Sequence, residues 1–327
     1  MRESKPTIYD PNFLPNMIYS GVPSWLNLSV IENDDDLKKI DAAVVGVPWE
    51  GGCTIGGYSS TTEGPKAVRS ASIRYTGFLP DYNLDCFDYL NVADSGDIAT
   101  QNGKYDFTFK SIRERIGKLA DAKIIPITIG GDHGIAYPII SEIAKRYPKK
   151  VGVLHFDAHL DNYSHFGDDE LSRCSPFYRV YNDPNMDPTK IAHIGIRGPR
   201  NHREEYNNAV KYGATVIRAI DVHEDGWKAS ISKALEVVSK DTEYIYITVC
   251  ADSLDAANMP QAPQDMGGLT SYELLMMLHE AGLAGAKGID FVETYPEVFT
   301  LQTAAHVVNW AFLYYLNGLA QHIKESK

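Results

Sequence analysis

Three short polar runs follow apolar stretches of this 327-residue chain, and each carries groups able to hold a cation. Gly130-Gly131-Asp132-His133 follows one stretch, Asp157-Ala158-His159-Leu160-Asp161 a second, and Cys250-Ala251-Asp252 with Asp255 a third. A fourth apolar stretch ends at Glu293. In extended backbone, residues two apart point to the same side, so Asp157, His159 and Asp161 form a comb of carboxylate, imidazole and carboxylate. With His133 nearby, that donor set suits Mn, Ni, Co or Zn better than Ca or Mg. Singly, these residues mean little: a lone Asp at a strand end ordinarily caps a turn, and a lone His ordinarily packs in a core. Asp132 fits the capping or supporting role. Taken together, the set predicts a metal site.

The apolar stretches must then be strands that deliver their ends to one rim. Val- and Ile-rich segments are expected as strands at 42–47, 90–93, 124–129, 151–156, 191–196, 215–220, 244–250 and 288–292, most of them apolar on both faces. Helices are expected at 65–72, 107–120, 135–144, 227–238, 272–281 and 301–320. This alternation calls for right-handed βαβ crossovers and an α/β fold, a three-layer αβα sandwich around a parallel sheet of about eight strands. Sheets of that kind bind ligands beyond the carboxyl ends of their strands, where the polar runs stand. No linker or repeat divides the chain, so residues 1–327 read as a single domain with 1–40 as an extension packing on it. The acidic run Glu32–Asp36 reads as a solvated helix entry. The aromatic run Trp310–Tyr315 is expected in the core, with an interface as the alternative.

Composition narrows the partners. Lys and Arg number 31 against 43 Asp and Glu, a net charge of −12 that disfavours nucleic acid and anionic membranes. Cys53, Cys86, Cys174 and Cys250 form no CxxC pair and fit reduced thiols in the cytoplasm. The start, MRESKPTIYD, shows no apolar leader, and the stretch 301–319 is broken by Gln302, His306, Asn309 and Asn317, as in a core helix rather than a membrane span. Neither a GxGxxG turn nor a GxSxG elbow is found.

The paired motifs Gly130–His133 and Asp157–Asp161, the Cys250–Asp255 segment and Glu293 resemble the arginase/agmatinase (ureohydrolase) family. Tyr19-Ser-Gly-Val-Pro23, Gly46-Val-Pro-Trp-Glu50 and Phe299-Thr-Leu-Gln-Thr-Ala-Ala305 are similar to its agmatinase branch, so the resemblance spans nearly the whole chain. It implies an arginase-like fold, hydrolysis of a guanidine-type C–N bond with release of urea or a related product and an amine, and two divalent ions, Ni or Mn. His133, Asp157, Asp161 and residue 250 would hold one ion; Asp157, His159, residue 250 and Asp252 would hold the other. Two ions about 3.5–4 Å apart share a water and bring its pKa from ~15.7 towards ~7. The family implies that Asp161 orients this nucleophile and passes its proton to the amine, and that Glu293 pins the planar cation by charge-assisted hydrogen bonds. Members form trimers and hexamers. Histone deacetylases carry a similar comb, with a single Zn and different flanking motifs.

Departures from the family pattern matter as much. Where the third motif reads Ser-x-Asp-x-Asp-x-x-Asp-Pro, this chain has Thr248-Val-Cys250-Ala-Asp252-Ser-Leu-Asp255-Ala256. A thiolate ligates Ni or Zn at about 2.3 Å and favours them over Mn, but it is shorter than a carboxylate. The bridge is then strained or lost, leaving one ion or none, or Cys250 is an inert buried thiol. Arg173-Cys-Ser-Pro-Phe177 stands where agmatinases carry His-Gly-Thr-Pro-Phe. Arginine cannot act as a base near neutral pH. It either reaches Glu293 and fills the pocket as an internal substrate mimic, or lies on the surface of a tilted loop. Tyr58-Ser-Ser-Thr-Thr62 also replaces the usual Arg-Pro-Gly-x-Arg.

Two functions compete. One is a metal-dependent hydrolase acting on a small cationic alkylguanidine or biguanide. The other is a catalytically degenerate partner in a homo- or hetero-oligomer with a ureohydrolase paralogue, similar to the metformin hydrolase-like assemblies of the family.

Overall fold

Alternation along each strand divides its side chains between two apolar layers, and that division sets the architecture. The computed structural model describes residues 5–9, 22–31, 33–51, 60–260, 262–263, 265–296 and 303–327. Eight strands form one sheet: β1 (Ala42–Gly46), β2 (Val92–Asp97), β3 (Ile125–Ile129), β4 (Val151–Phe156), β5 (Ile191–Ile196), β6 (Thr215–Arg218), β7 (Tyr244–Cys250) and β8 (Ile289–Val292). Their order is β2-β1-β3-β8-β7-β4-β5-β6, and every pairing is parallel. Nine helices are described: α1 (Gly64–Ser72), α2 (Tyr105–Asp121), α3 (Ala136–Ala144), α4 (Pro176–Tyr181), α5 (Arg203–Tyr212), α6 (Ala219–Asp225), α7 (Trp227–Ser239), α8 (Ser271–Leu283) and α9 (Thr303–Glu325). In β1, Ala42 and Val44 join the core under α1, α7, α8 and α9, while Ala43 and Val45 join the core under α2, α3 and α4. The result is the three-layer αβα sandwich that the sequence pattern requires.

The sheet aims the polar runs. Strands β3, β8, β7 and β4 are consecutive neighbours at its centre, so the residues following them share one rim. Sequence order conceals this, because β7 and β8 come last in the chain yet lie between β3 and β4.

Differences from expectation lie mostly at element ends. The strand expected at 90–93 sits at Val92–Asp97, displaced toward polar residues that still pair with β1. The strand expected at 215–220 stops at Arg218, because Asp221 accepts the Arg218 N–H and starts α6 there. Helices α4, α5 and α6 were not expected; α4 has six residues and α6 seven, too few for a period to show, and α5 is strongly polar overall. A short 3-10 helix at Asp34–Lys39 begins within the acidic run, with Asp34, Asp35 and Asp36 in its first turn. In α9, 311–316 are buried and Trp310 is half-exposed, so the aromatic run belongs mainly to the core. Cys53, Tyr58-Ser59, Tyr19–Gly21, Glu32 and Phe299–Gln302 lie outside the described residues. No described helix is long and apolar enough to cross a membrane.

Two packing details brace the sheet. Trp25 is wholly buried; its backbone N–H donates to Asp94 at 2.7 Å and its indole N–H to Asn309 of α9 at 2.7 Å. Helices α8 and α9 meet at Gly318, where an added Cβ would lie 2.0 Å from the His279 carbonyl oxygen. That atom belongs to a helix backbone and cannot step aside. Gly318→Ala is therefore expected to cost at least ~1–3 kcal/mol through overpacking, read as a lower midpoint in urea with an unchanged slope; an unaltered midpoint would refute this account of the α8–α9 contact.

Candidate metal centre

Each ligand candidate leaves the end of a central strand. Beyond β3 the chain turns tightly, and Gly131 is needed there because a Cβ would lie 2.0 Å from the Trp49 carbonyl oxygen. Asp132 caps the next turn by accepting the Gly134 N–H at 3.0 Å and also accepts the Gly51 N–H at 2.5 Å, which makes it a supporting group. His133 follows, buried. Beyond β4, Asp157 is fully buried and Asp161 nearly so, and Asp161 adopts a left-handed φ of 45°. Glu293, just beyond β8, has a φ of 58°. Non-glycine residues in that region cost on the order of 1–3 kcal/mol, a strain that collects at functional sites.

The donors gather in two groups. Ligand atoms of His133, Asp157 and Cys250 lie within 4.8 Å of one another, as do those of Asp157, His159 and Asp252. Asp157 belongs to both groups, whereas Cys250 joins only the first. Asp161 enters the first by its distance of 2.8 Å from His133 Nδ1. Asp255 does not contribute a ligand: its carboxylate accepts backbone N–H groups of Ala257, Gly267 and Gly268 and shapes the loop.

Hydrogen bonds fix which nitrogen of His133 faces the rim. The Thr248 hydroxyl donates to Asp290 at 2.6 Å, so its oxygen can accept from His133 Nε2, 3.2 Å away. The neutral ring then turns the lone pair of Nδ1 toward Asp157 and Asp161 oxygens at 2.9 and 2.8 Å, neither contact aligned as a hydrogen bond. Three electron-rich atoms so close and dry repel unless a cation lies between them. The residues therefore fit a divalent ion, with the partner of the opposite imidazole nitrogen setting the tautomer as in metal sites generally. Without an ion, a proton takes that place. Burial lowers the His133 value, but the Asp157 and Asp161 carboxylates outweigh it and hold the ring well above the ordinary histidine range. Burial, then the charge of Asp157, raises Asp161 to about 7 and pushes the Cys250 thiol well above its usual value.

A second row of groups stands behind Asp157. His155 Nε2 lies 2.9 Å from Asp157 Oδ2, His155 Nδ1 lies 2.6 Å from His193 Nδ1, and His193 Nε2 lies 2.6 Å from the Tyr181 hydroxyl. Burial lowers both imidazoles, His155 to about 4, so both stay neutral. With one end a carboxylate, every proton in the row points toward Asp157. On the other side of the rim, His159 Nδ1 lies 3.2 Å from Asp252, and His159 Nε2 lies 3.4 Å from Asp265, which also binds Arg200. The loop carrying Asp252 and Asp265 is gathered by Arg197, whose guanidinium donates to the backbone carbonyls of Asp252, Ser253, Leu254, Asp265 and Met266 at 2.8, 3.3, 3.1, 3.0 and 3.0 Å.

Arg173 is buried, 6% exposed, and so not a surface residue. Its Nη1 donates to Glu293 at 2.8 Å and to the Tyr295 hydroxyl at 2.7 Å, and its Nη2 donates to Glu50 at 3.1 Å. Burial opposes its charge, but the Glu293 and Asp132 carboxylates reverse that and raise its value. Arg173, Cys174, Arg200, Cys250, Asp252 and Glu293 line a cleft of about 130 Å³.

The structure thus brings together His133, Asp157, His159, Asp161, Cys250 and Asp252, and sets Glu293 and Arg173 against each other at the same mouth. Sequence reading missed His155, His193, Tyr181, Tyr295 and Asp265, and gave Glu50 no role. His155 carried a faint signal, a histidine in an apolar strand two residues before Asp157 and on the same face. His193 carried none, since only the β4–β5 register opposes it to His155.

Comparison with known proteins agrees with this fold. Residues 40–315 match the arginase family. The agmatinase of Chromobacterium violaceum is 30% identical over 296 residues, 88% of this chain and 87% of that protein. The guanidinobutyrase of Pseudomonas aeruginosa is 28% identical over 281 residues, 85% of this chain and 86% of that protein. The solved structure of proclavaminate amidinohydrolase from Streptomyces clavuligerus superposes with a TM-score of 0.84 at 25% identity, covering 93% of this chain and 99% of that one. The chain belongs to the arginase family of C–N hydrolases, on the agmatinase-like side.

Buried acids make stability depend on pH. Burial raises Asp132 and Asp290 to about 6 and Asp161 to about 7. A carboxyl raised on folding binds more proton folded than unfolded, so its contribution is lost as pH rises through the folded value. Below about pH 6 the lowered imidazoles of His155 and His193 act in the opposite sense. Between about pH 4 and 6 the ion-free chain is expected to lose thermal stability relative to its Asp290→Asn variant as pH rises, because only the unaltered chain carries that raised carboxyl. A melting temperature that follows pH identically in both proteins across this window would contradict the assignment.

Proposed function

We propose that the chain hydrolyses the C–N bond of a small guanidino compound at a pair of divalent ions. The observation that carries this reading is the buried Nδ1 of His133 standing 2.9 and 2.8 Å from oxygens of Asp157 and Asp161, a cluster that a cation would fill. His133, Asp157, Asp161 and Cys250 would hold one ion, and Asp157, His159 and Asp252 the other, within one domain spanning the chain. Bound ions would supply an acidified water and a positive field over the reacting carbon. Asp161 can carry a proton between water and the departing amine. His155 holds the shared carboxylate in place, and Glu293 presents a carboxylate to a planar cation. Water adds at the guanidine carbon, the C–N bond breaks, and urea or a related product leaves with an amine.

The cleft, about 130 Å³, is well below the ~300–1,000 Å³ typical of drug-sized ligands, which favours a short alkylguanidine or biguanide. Cys250 tilts the first ion toward nickel or zinc and away from the manganese that a carboxylate set prefers. The purified chain is expected to bind up to two such ions with an affinity that rises with pH, because Asp161 and Cys250 must lose protons on binding. Elemental analysis, followed by urea release from a panel of guanidines and biguanides, tests the reading; a metal-loaded chain that turns over none of them, both unaltered and with Arg173 replaced by Ala, would sink it.

A second reading has its own observation. Cys250 joins one ligand group and not the other, so only Asp157 is left to bridge. On this reading the chain is a degenerate subunit that supports an active paralogue in a hetero-oligomer. Cys250→Asp is then expected to raise ion stoichiometry from about one toward two, measured per chain; stoichiometry already at two in the unaltered chain would dismiss the degenerate-subunit account.

A further inference from the structure

The buried mouth of the cleft already contains a guanidinium group, that of Arg173. Its two terminal nitrogens meet Glu293, the Tyr295 hydroxyl and Glu50 at 2.7–3.1 Å, and Asp132 Oδ2 lies 3.8 Å from Nη2. The Tyr295 hydroxyl also donates to Glu293 Oε2, and the Glu293 Oε1 atom accepts the His133 backbone N–H at 2.8 Å. The carboxylate that faces Arg173 is thus tied by its other oxygen to the backbone of a ligand residue. Arg173 Nε makes no hydrogen bond, so all of the recognition is at the two nitrogens a free guanidinium ion would also present. The seat is built for a planar cation with N–H groups on two edges, a shape that Lys, Na⁺ or a quaternary amine does not reproduce.

We propose that Arg173 is a tethered guanidinium occupying the substrate's own seat, and that it is the residue deciding whether this cleft admits a guanidino compound. The proposal rests on the reading that Glu293 would receive the substrate cation. Tethering gives an internal ligand an effective concentration of millimolar or more, so a free competitor binds poorly until Arg173 is removed or swung aside. In an oligomer, a partner that drew the Ser172–Cys174 segment outward would open the seat; in isolation the chain keeps it shut. The arginine that replaces histidine in this segment acts as a plug of the same chemistry as the ligand.

Removal of the plug supplies the test, carried out on the full-length, metal-free chain so that turnover plays no part. Arg173→Ala leaves Glu293 and Glu50 facing an empty seat. Low-millimolar guanidinium chloride is expected to raise its melting temperature saturably, with methylguanidine acting similarly and tetramethylammonium chloride at equal ionic strength acting little. Apparent affinity for guanidinium should exceed that of the unaltered chain by about a hundredfold, the gain that tethering confers, and Glu293→Gln in the Arg173→Ala background should abolish it. Should Arg173→Ala not fold unaided, its refolding yield should still rise with guanidinium and not with tetramethylammonium, and Arg173→Gln should show the same preference. Equal guanidinium binding by the unaltered and Arg173→Ala chains, or no guanidinium-specific rescue of either variant, overturns the proposal. Absence of urea release from a metal-loaded, guanidinium-binding variant would instead count against the hydrolase reading alone.

Discussion

Buried negative charge is the constraint on which the rest of this rim depends. Asp132, Asp157, Asp161, Asp252, Asp290 and Glu293 are all nine-tenths buried or more, and the ends of four adjacent parallel strands press most of them together. An isolated ionised carboxylate in such surroundings is costly and either finds a partner or takes up a proton. The molecule meets this demand in several ways at once. Backbone N–H groups serve Asp132 and Glu293, neutral imidazole and hydroxyl donors serve Asp157 and Asp290, and one guanidinium serves Glu293 and Glu50. The gap between His133, Asp157 and Asp161 is left to a cation.

The unusual residues divide this demand unequally. Around Glu293 the chain provides its own cation. Around Asp157 it provides imidazoles whose protons an incoming ion would displace, and at residue 250 it places a thiol, which is neutral while the rim is ion-free because burial holds its proton on. The two halves of the mouth are consequently in different conditions: the guanidinium end is internally neutralised, and the ligand end awaits an ion from outside. That asymmetry distinguishes this member from a family pattern in which a carboxylate stands at residue 250.

Much of the fold was legible from pattern, because buried parallel strands such as 151–156 and 244–250 write themselves as unbroken apolar runs. The ligand set was legible for a related reason: Asp157, His159 and Asp161 fall at alternate positions next to such a run. The groups that complete the site were hidden wherever they depend on neighbours distant in sequence. His193 matters only because β5 pairs with β4 in a register that opposes it to His155, and Asp265 only because its loop folds back on His159. Short helices such as α4 and α6 hold too few residues for an apolar period to announce them. Asp255 was over-read, since a strand-end carboxylate that serves backbone N–H groups looks the same in sequence as one that faces a metal.

The loop after β7 is held through its main chain, by Arg197 donating to five carbonyls between Asp252 and Met266. A clasp of this kind is indifferent to the side chains it encloses. Pro263, which lines the cleft within this loop, can exchange identity while the main-chain clasp persists. Arg197 thereby sets the path of the loop through its backbone alone, and leaves the side chain at the doorway of the cleft as the part that an arriving molecule meets.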